Sequence, residues 1–230
     1  MKITWLGHSC TYLEGSRKVL VDPFTGGLPL PRDADIVAVT HGHADHLGEA
    51  ATLGLPVIAI NEVAKYLASR GVRAVGMNIG GTVTEMGVSF TMTQAVHSAW
   101  LEEAGCGFAG GGAAGFVIGM DGVRIYHAGD TALFSDMKLV NQIYHPHIAL
   151  LPIGGKFTMG PEEAMIAAQF IGAPWVIPIH YNTWDPIRQD AGMFKAAVER
   201  TTRMKVLALE PGGSVKIAPG ENGAMNVETE

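Results

Sequence analysis

The chain has little of what would tie it to several large protein classes. Cysteine is nearly missing, with 2 in 230 residues. Cys10 and Cys106 lie far apart, form no Cys-x-x-Cys pair, and read as free thiols of a reducing compartment. A chain of this length buries most of its apolar surface and needs no disulfides. Basic charge is also scarce. Sixteen Lys and Arg against 22 Asp and Glu leave a net charge of −6 and a pI near 5.8. No basic run exceeds two residues. That argues against non-specific nucleic-acid binding, which needs a basic face, and against a polybasic membrane anchor. No segment reaches the roughly 18 uninterrupted apolar residues a membrane helix wants. The opening Met1–His8 is too soon interrupted for a signal peptide. The expectation is a cytoplasmic protein with a small-molecule partner, no nucleic acid and no stable membrane association; a homo-oligomer is compatible with all of this.

Glycine, by contrast, is abundant at 30 residues, which points to tight turns and loops near function. No internal repeat or inter-domain linker interrupts the chain, so residues 1–230 are expected to form a single domain.

Short strands are expected at Lys2–Leu6, Cys10–Leu13, Lys18–Asp22 and Asp35–Thr40. A short helix over His46–Leu53, a strand at Pro56–Ile60 and a helix over Glu62–Ser69 capped by Asn61 follow. This alternation indicates a layered α/β architecture. Thr82–Val96 reads as two strands around Met86-Gly87, and Phe116–Ile118 with Val123–Tyr126 as a hairpin turning at Asp121-Gly122. Further strands are expected at Ile148–Ile153, Trp175–Ile179, Val206–Leu209 and Ser214–Ile217, with helices from Gly160 to Ile171 and over Ile187–Arg200. The polar tail from Pro219 is expected to fray. The glycine-rich Ser98–Gly115 has no clear period and reads either as a lid over a site or as a surface loop.

The densest chemistry lies in His41-Gly42-His43-Ala44-Asp45-His46, directly after the apolar run Ile36–Val39. Zinc prefers imidazole nitrogen and carboxylate oxygen. His41 and His43, one residue apart on extended backbone, can point the same way and grip one ion. Asp45 and His46, on the following turn, can reach a second. Three more ligand types stand at or near the ends of apolar strands: His97, Asp130 and His180.

The set resembles the metallo-β-lactamase superfamily. His41 to His46 fits its His-x-His-x-Asp-His signature, and the later His, Asp and His follow in the family order. Trp5–Ser9, Leu151–Gly160 and Ile177–Tyr181 are similar to a prokaryotic branch of metal-dependent hydrolases, related to the ascorbate-phosphate lactonase group and more distantly to the N-acylphosphatidylethanolamine phospholipase D group. The resemblance implies a four-layer αβ/βα sandwich of two mixed sheets flanked by helices. It implies that His41, His43 and His97 hold one metal, that Asp45, His46 and His180 hold the other, and that Asp130 bridges them. The chain is too short for the cap domain of nucleic-acid-processing members. His43 stands where flavodiiron relatives carry Glu, which favours hydrolysis over oxygen reduction. Lys156 stands where this branch is expected to carry His or a polar residue.

The expected function is a dinuclear metal-dependent hydrolase acting on a small ester, lactone or phosphodiester. The expected cofactor is two divalent ions, foremost Zn2+, with Mn2+ or iron as alternatives. A hydroxide shared by the ions would be the nucleophile. The rival readings are a non-catalytic metal- or ligand-sensing protein of the same fold and an iron-dependent redox protein. Asp45 is also a candidate for orienting the hydroxide, His8 for contacting substrate or supporting a ligand, and Tyr181 for donating to an oxyanion. Asp22 reads either as a carboxylate orienting a ligand His or as a turn residue before Pro23. Lys156 reads either as an anchor for an anionic substrate or as a solvated lysine. His127, His145 and His147 read as structural or surface residues.

Overall fold

Burial alternates along Lys2–Gly7 (β1), as a strand with one face on a core requires. It becomes unbroken along Ile36–Val39 (β4) and Val57–Ile60 (β5), the pattern of strands covered on both faces. The computed structural model describes residues 1–103, 106–220 and 225–229. With Cys10–Glu14 (β2), Lys18–Val21 (β3), Ala74–Met77 (β6), Ser214–Pro219 (β16) and Met225–Thr229 (β17), these strands build one sheet of eight in the order β17-β16-β1-β2-β3-β4-β5-β6. Strands β3 to β6 run parallel; the others pair antiparallel.

A second sheet of seven uses Thr82–Glu85 (β7), Val88–Gln94 (β8), Ala114–Met120 (β11), Val123–His127 (β12), Ile148–Pro152 (β13), Trp175–Ile179 (β14) and Lys205–Val206 (β15). Its order is β15-β14-β13-β12-β11-β8-β7, with β12 to β15 parallel and β11, β8 and β7 antiparallel. The core joins the two sheets: Ile3 and Trp5 belong to the same buried cluster as Phe90, Phe116 and Ile125. Asn61–Ala68 (α2) packs on β5 and β6, while Pro161–Ile171 (α4) and Ala191–Thr201 (α5) pack on β13 and β15. The layers are therefore helix, sheet, sheet and helix, as expected. Pro161 opens α4, Glu163 Oε2 accepts from the Gly160 N–H at 2.8 Å, and Gly172 closes the helix.

The structure departs from the expected elements in seven places. Asn61 is the first residue of α2 rather than its cap, and Asp190 caps α5 by accepting from the Met193 N–H, so α5 starts later than Ile187. Two elements, β6 and the helix Met137–Tyr144 (α3), were not expected. The short helix after the His cluster is Ala44–Leu47 (α1), shorter than expected. In the tail, β17 pairs with β16 along Pro219 to Val215, because Met225 and Val227 find core to pack against. Finally, Trp100–Glu103 (β9) and Cys106–Ala109 (β10) pair as a separate two-stranded ribbon inside Ser98–Gly115; Ala104 and Gly105 of that segment lie outside the described residues.

Residues that follow the strand ends of both sheets meet at one edge. β3, β4, β12 and β14 all run their carboxyl ends to it, where open α/β sheets offer their crevice.

Candidate metal centre

Each ligand-type side chain follows a strand end: His8 after β1, Asp22 after β3, His41 after β4, His97 after β8, Asp130 after β12 and His180 after β14. The structure brings them into three overlapping groups, with the ligand atoms of each within 4.8 Å of one another. His41, His43 and His97 form one group, and Asp45, His46 and His180, joined by His8, form another. The third, His41, His46 and Asp130, overlaps both. His41 Nε2 and His43 Nδ1 converge to 2.9 Å. Asp130 reaches across: its Oδ1 is 3.3 Å from His46 Nε2, and its Oδ2 is 3.0 Å from His180 Nε2 and 3.7 Å from His97 Nε2.

Hydrogen bonds behind the ligands decide which nitrogens face the centre. Asp22 accepts from the Thr40 N–H and from the Thr40 hydroxyl, both at 2.8 Å, and stands 2.7 Å from His46 Nδ1. A carboxylate only accepts, so His46 Nδ1 carries a proton and Nε2 turns inward. The Thr40 hydroxyl, its proton given to Asp22, accepts from His41 Nδ1 at 3.1 Å, so His41 Nε2 presents a lone pair. These are the supports that ligating imidazoles need.

Several inward atoms are buried and, although close to one another, make no well-oriented hydrogen bond among the described residues: His46 Nε2, Asp130 Oδ1 and His180 Nε2. Such orphans are rare in folded proteins. Here they converge, and every donor is nitrogen or oxygen, so the residues fit divalent ions such as zinc, manganese or iron.

The electrostatics follow the same division. Burial pushes the imidazoles of His41, His43 and His97 below their ordinary value, with His46 adding repulsion to each. Burial also disfavours a charged His46, but Asp130 and Asp22 outweigh it and hold this imidazole well above the ordinary value. For the Asp130 carboxyl, burial acts upward but His46 and His180 prevail and hold it well below the usual range. Asp45 is likewise held low, against burial, by the hydrogen bond from His8 and by His46. Burial drives His8 down to about 4.

The other sequence candidates are placed as follows. Tyr181 donates its hydroxyl to the Leu209 carbonyl at 3.2 Å and stacks on Trp5 at 4.9 Å; it is in none of the ligand groups. Lys156 lies at the surface with Nζ 5.3 Å from the Phe157 ring. His145 ends α3 in a left-handed conformation, and His147 Nδ1 accepts from the Arg124 N–H. His127 is buried between the Ser9 carbonyl and the Gly129 N–H, tying the turn of His8 to the turn of Asp130. Asp22, open in the sequence, is the carboxylate behind His46. Thr40 and Thr183 were not anticipated. Thr40 is adjacent to His41 and could have been suspected; Thr183 carries no local signal.

Two walls flank the centre. The β9–β10 ribbon lies over His41-Gly42-His43: a Cβ on Gly42 would sit 2.8 Å from Leu101 Cγ and 3.2 Å from the Trp100 carbonyl, so only glycine fits. On the other side Phe24 and the part-exposed Trp184 pack against His8, at 5.5 and 4.8 Å between ring centres. Beside His8 opens a cavity of about 1080 Å³, lined among others by Leu28, Thr183, Arg188 and Glu210.

Comparison with known proteins adds to this geometry. Residues 2–180 match the family model described as a beta-lactamase superfamily domain. The chain is 60% identical over 223 residues to a UPF0173 metal-dependent hydrolase of Methanoculleus marisnigri, covering 97% of this chain and 100% of that one. It is 59% identical over 217 residues to a UPF0173 metal-dependent hydrolase of Methanospirillum hungatei, covering 94% and 99%. Among solved structures, Igni18, a metallo hydrolase of the archaeon Ignicoccus hospitalis, is similar with a TM-score of 0.83 and 34% identity, over 93% of this chain and 96% of that one.

Proposed function

The chain belongs to the beta-lactamase superfamily, among the UPF0173 metal-dependent hydrolases, and from that premise we propose that it is a two-metal hydrolase of small esters, lactones or phosphodiesters. The observation that carries the two-ion reading is the convergence of ligand atoms into two groups, His41/His43/His97 and Asp45/His46/His180 with His8, overlapped by a third of His41, His46 and Asp130. His41, His43 and His97 would hold one ion, Asp45, His46 and His180 the other, and Asp130 would serve both. Zinc is the first choice, and manganese or iron suits the same donors. When bound, such a pair supplies an acidified water and polarises a carbonyl or phosphoryl oxygen.

The protein's own groups do the rest. Asp22 and Thr40 fix the tautomers of His46 and His41. Asp45 is the carboxylate of the centre with an open face, its side chain 27% exposed, and it can orient a water or hold its proton. The Phe24–Trp184 wall and the β9–β10 ribbon bound the space left to substrate. Tyr181, its hydroxyl engaged by Leu209, serves packing rather than the oxyanion. The acidic chain suits a small-molecule substrate in the cytoplasm better than nucleic acid.

The test is a panel of lactones, thioesters, phosphodiesters and phosphomonoesters, run with zinc, manganese and iron after metal analysis. Turnover should require metal and vanish in His43→Ala and Asp130→Ala, both depleted of metal but folded. A fully loaded protein that turns over nothing in the panel would overturn the hydrolase reading in favour of a metal- or ligand-sensing one. Wild-type metal content in both variants would overturn the ligand assignment.

A further inference from the structure

His8 touches the centre in an unusual way. Its ring is fully buried, with Nε2 3.0 Å from Asp45 Oδ2 and Nδ1 2.9 Å from the Thr183 hydroxyl. Its carbonyl accepts from the His180 N–H at 2.8 Å and from the Trp5 indole N–H at 2.8 Å. Asp45 belongs to the His cluster after β4, in the eight-stranded sheet; His180 follows β14, in the seven-stranded one. One residue therefore grips two ligands of the same group, one from each sheet, through its ring and its backbone.

The partners assign the proton. Asp45 as a carboxylate only accepts, so the nitrogen facing it must be Nε2–H. Nδ1 is then the lone-pair nitrogen, and the Thr183 hydroxyl must donate to it. With its Nε2 proton engaged by Asp45, His8 has no lone pair aimed at the centre, although it lies within reach of one.

Thr183 is itself held in place. A Cβ on Gly26 would lie 2.6 Å from the Thr183 methyl, so the loop at Gly26 packs directly on that side chain. Asn182 takes a left-handed backbone (φ 60°); its N–H donates to the Ile187 carbonyl and its side chain accepts from the Gln189 N–H. His8 and His180 also have positive φ, at 50° and 54°, so the junction holds three residues that are not glycine in a conformation such residues seldom adopt.

We propose that Thr183 and His8 form a positioning pair that fixes Asp45 relative to His180, so that the Asp45/His46/His180 group is set for its ion, and that His8 is not itself a ligand. This rests on the two-ion reading above. Neither residue needs to touch substrate.

The test is cobalt(II) titration of the chelator-treated full chain, followed by visible absorption and by competition with a chelator, for wild type, Thr183→Val, Thr183→Ser and His8→Asn. Asn keeps the backbone contacts and tolerates positive φ. Thr183→Val and His8→Asn should weaken one of two ions by about 10–100-fold and change its absorption, with the other ion at wild-type affinity and the thermal melt still cooperative. Thr183→Ser, which keeps the hydroxyl, should restore both. Two ions of wild-type affinity in Thr183→Val, or equal weakening of both, would overturn the pair while leaving the two-ion reading intact. A wild type that takes up a single ion would overturn that reading and the pair with it.

Discussion

His46 lies between two carboxylates: Asp22 Oδ2 is 2.7 Å from its Nδ1, and Asp130 Oδ1 is 3.3 Å from its Nε2. Burial acts against a charge here, but the pair of acids outweighs it and holds this imidazole well above its ordinary value, which favours its cation in metal-free protein. His41, His43 and His97 are pushed down by burial, which favours their neutral forms. An ion needs the His46 Nε2 lone pair and must displace that proton. Binding at the Asp45/His46/His180 group should therefore release about one proton more than binding at the three-His group near pH 7. Calorimetry in buffers of different ionisation enthalpy measures this directly. Equal proton release at both steps would show that the two acids do not charge His46.

Asp22→Asn keeps the size of a fully buried side chain and an oxygen for the Thr40 N–H. It also turns an acceptor into a donor where His46 Nδ1 needs an acceptor. The imidazole proton then moves to Nε2, the atom that faces the ion. Affinity at this group should fall about 10–100-fold, and His41 is disturbed as well, because the Thr40 hydroxyl that supports it loses the same acceptor oxygen of Asp22. Metal content after dialysis against graded chelator reads the change; wild-type retention would mean that the tautomer is set elsewhere.

The fold and the residues that cluster at the sheet edge were legible in the sequence for different reasons. His41 to His46 is local, six residues on one turn, and the strands before His97, Asp130 and His180 are apolar runs that stop at a ligand type. The missed pieces are set by contacts distant in the chain. Thr183 and His8 are 175 residues apart, and neither neighbourhood hints at the other. Helix α3 has no side-chain cap, so nothing local marks its start. Strand β17 exists because β16 offers an edge and the core accepts Met225 and Val227, which the polar tail does not announce. The β9–β10 ribbon carries Gly107 where a strand would want a side chain, because the Trp100 indole lies on that position: a Cβ there would be 1.7 Å from its Nε1.

Gly42 and Leu101 make a second close relationship. Gly42→Ala would drive a methyl into Leu101, which is fully buried, and towards the Trp100 carbonyl. Overpacking of this kind costs about 1–3 kcal/mol. Leu101→Ala alone opens a cavity, yet the double variant lets the new methyl occupy part of it. The double should be more stable than the sum of the singles predicts, by about 0.5–3 kcal/mol in a denaturant cycle. Strict additivity would mean that the ribbon does not rest on the turn between His41 and His43 in solution.

Acid should destabilise metal-free protein, and the sign can be worked out residue by residue. His8, His41, His43, His97, His127 and His147 have folded values below the ordinary one, all chiefly through burial. Below about pH 6.5 the unfolded chain binds protons at these positions that the folded chain refuses, so each costs stability as pH falls. His46 runs the other way: its folded value is raised, so its contribution is fully present below about 6.5 and is lost as pH rises through the folded value. Six groups against one leave a net loss on acidification, and the His8 share levels off near pH 4, where its folded value lies. Bound ions hold the ligand imidazoles neutral and stabilise the folded state by mass action. Melting temperature in excess chelator should thus drop from pH 7 to 5, and metal should protect most at the upper end, where it does not compete with protons. A chelated protein whose melting temperature stays level or rises over that range would show that these imidazoles take up protons in the folded state.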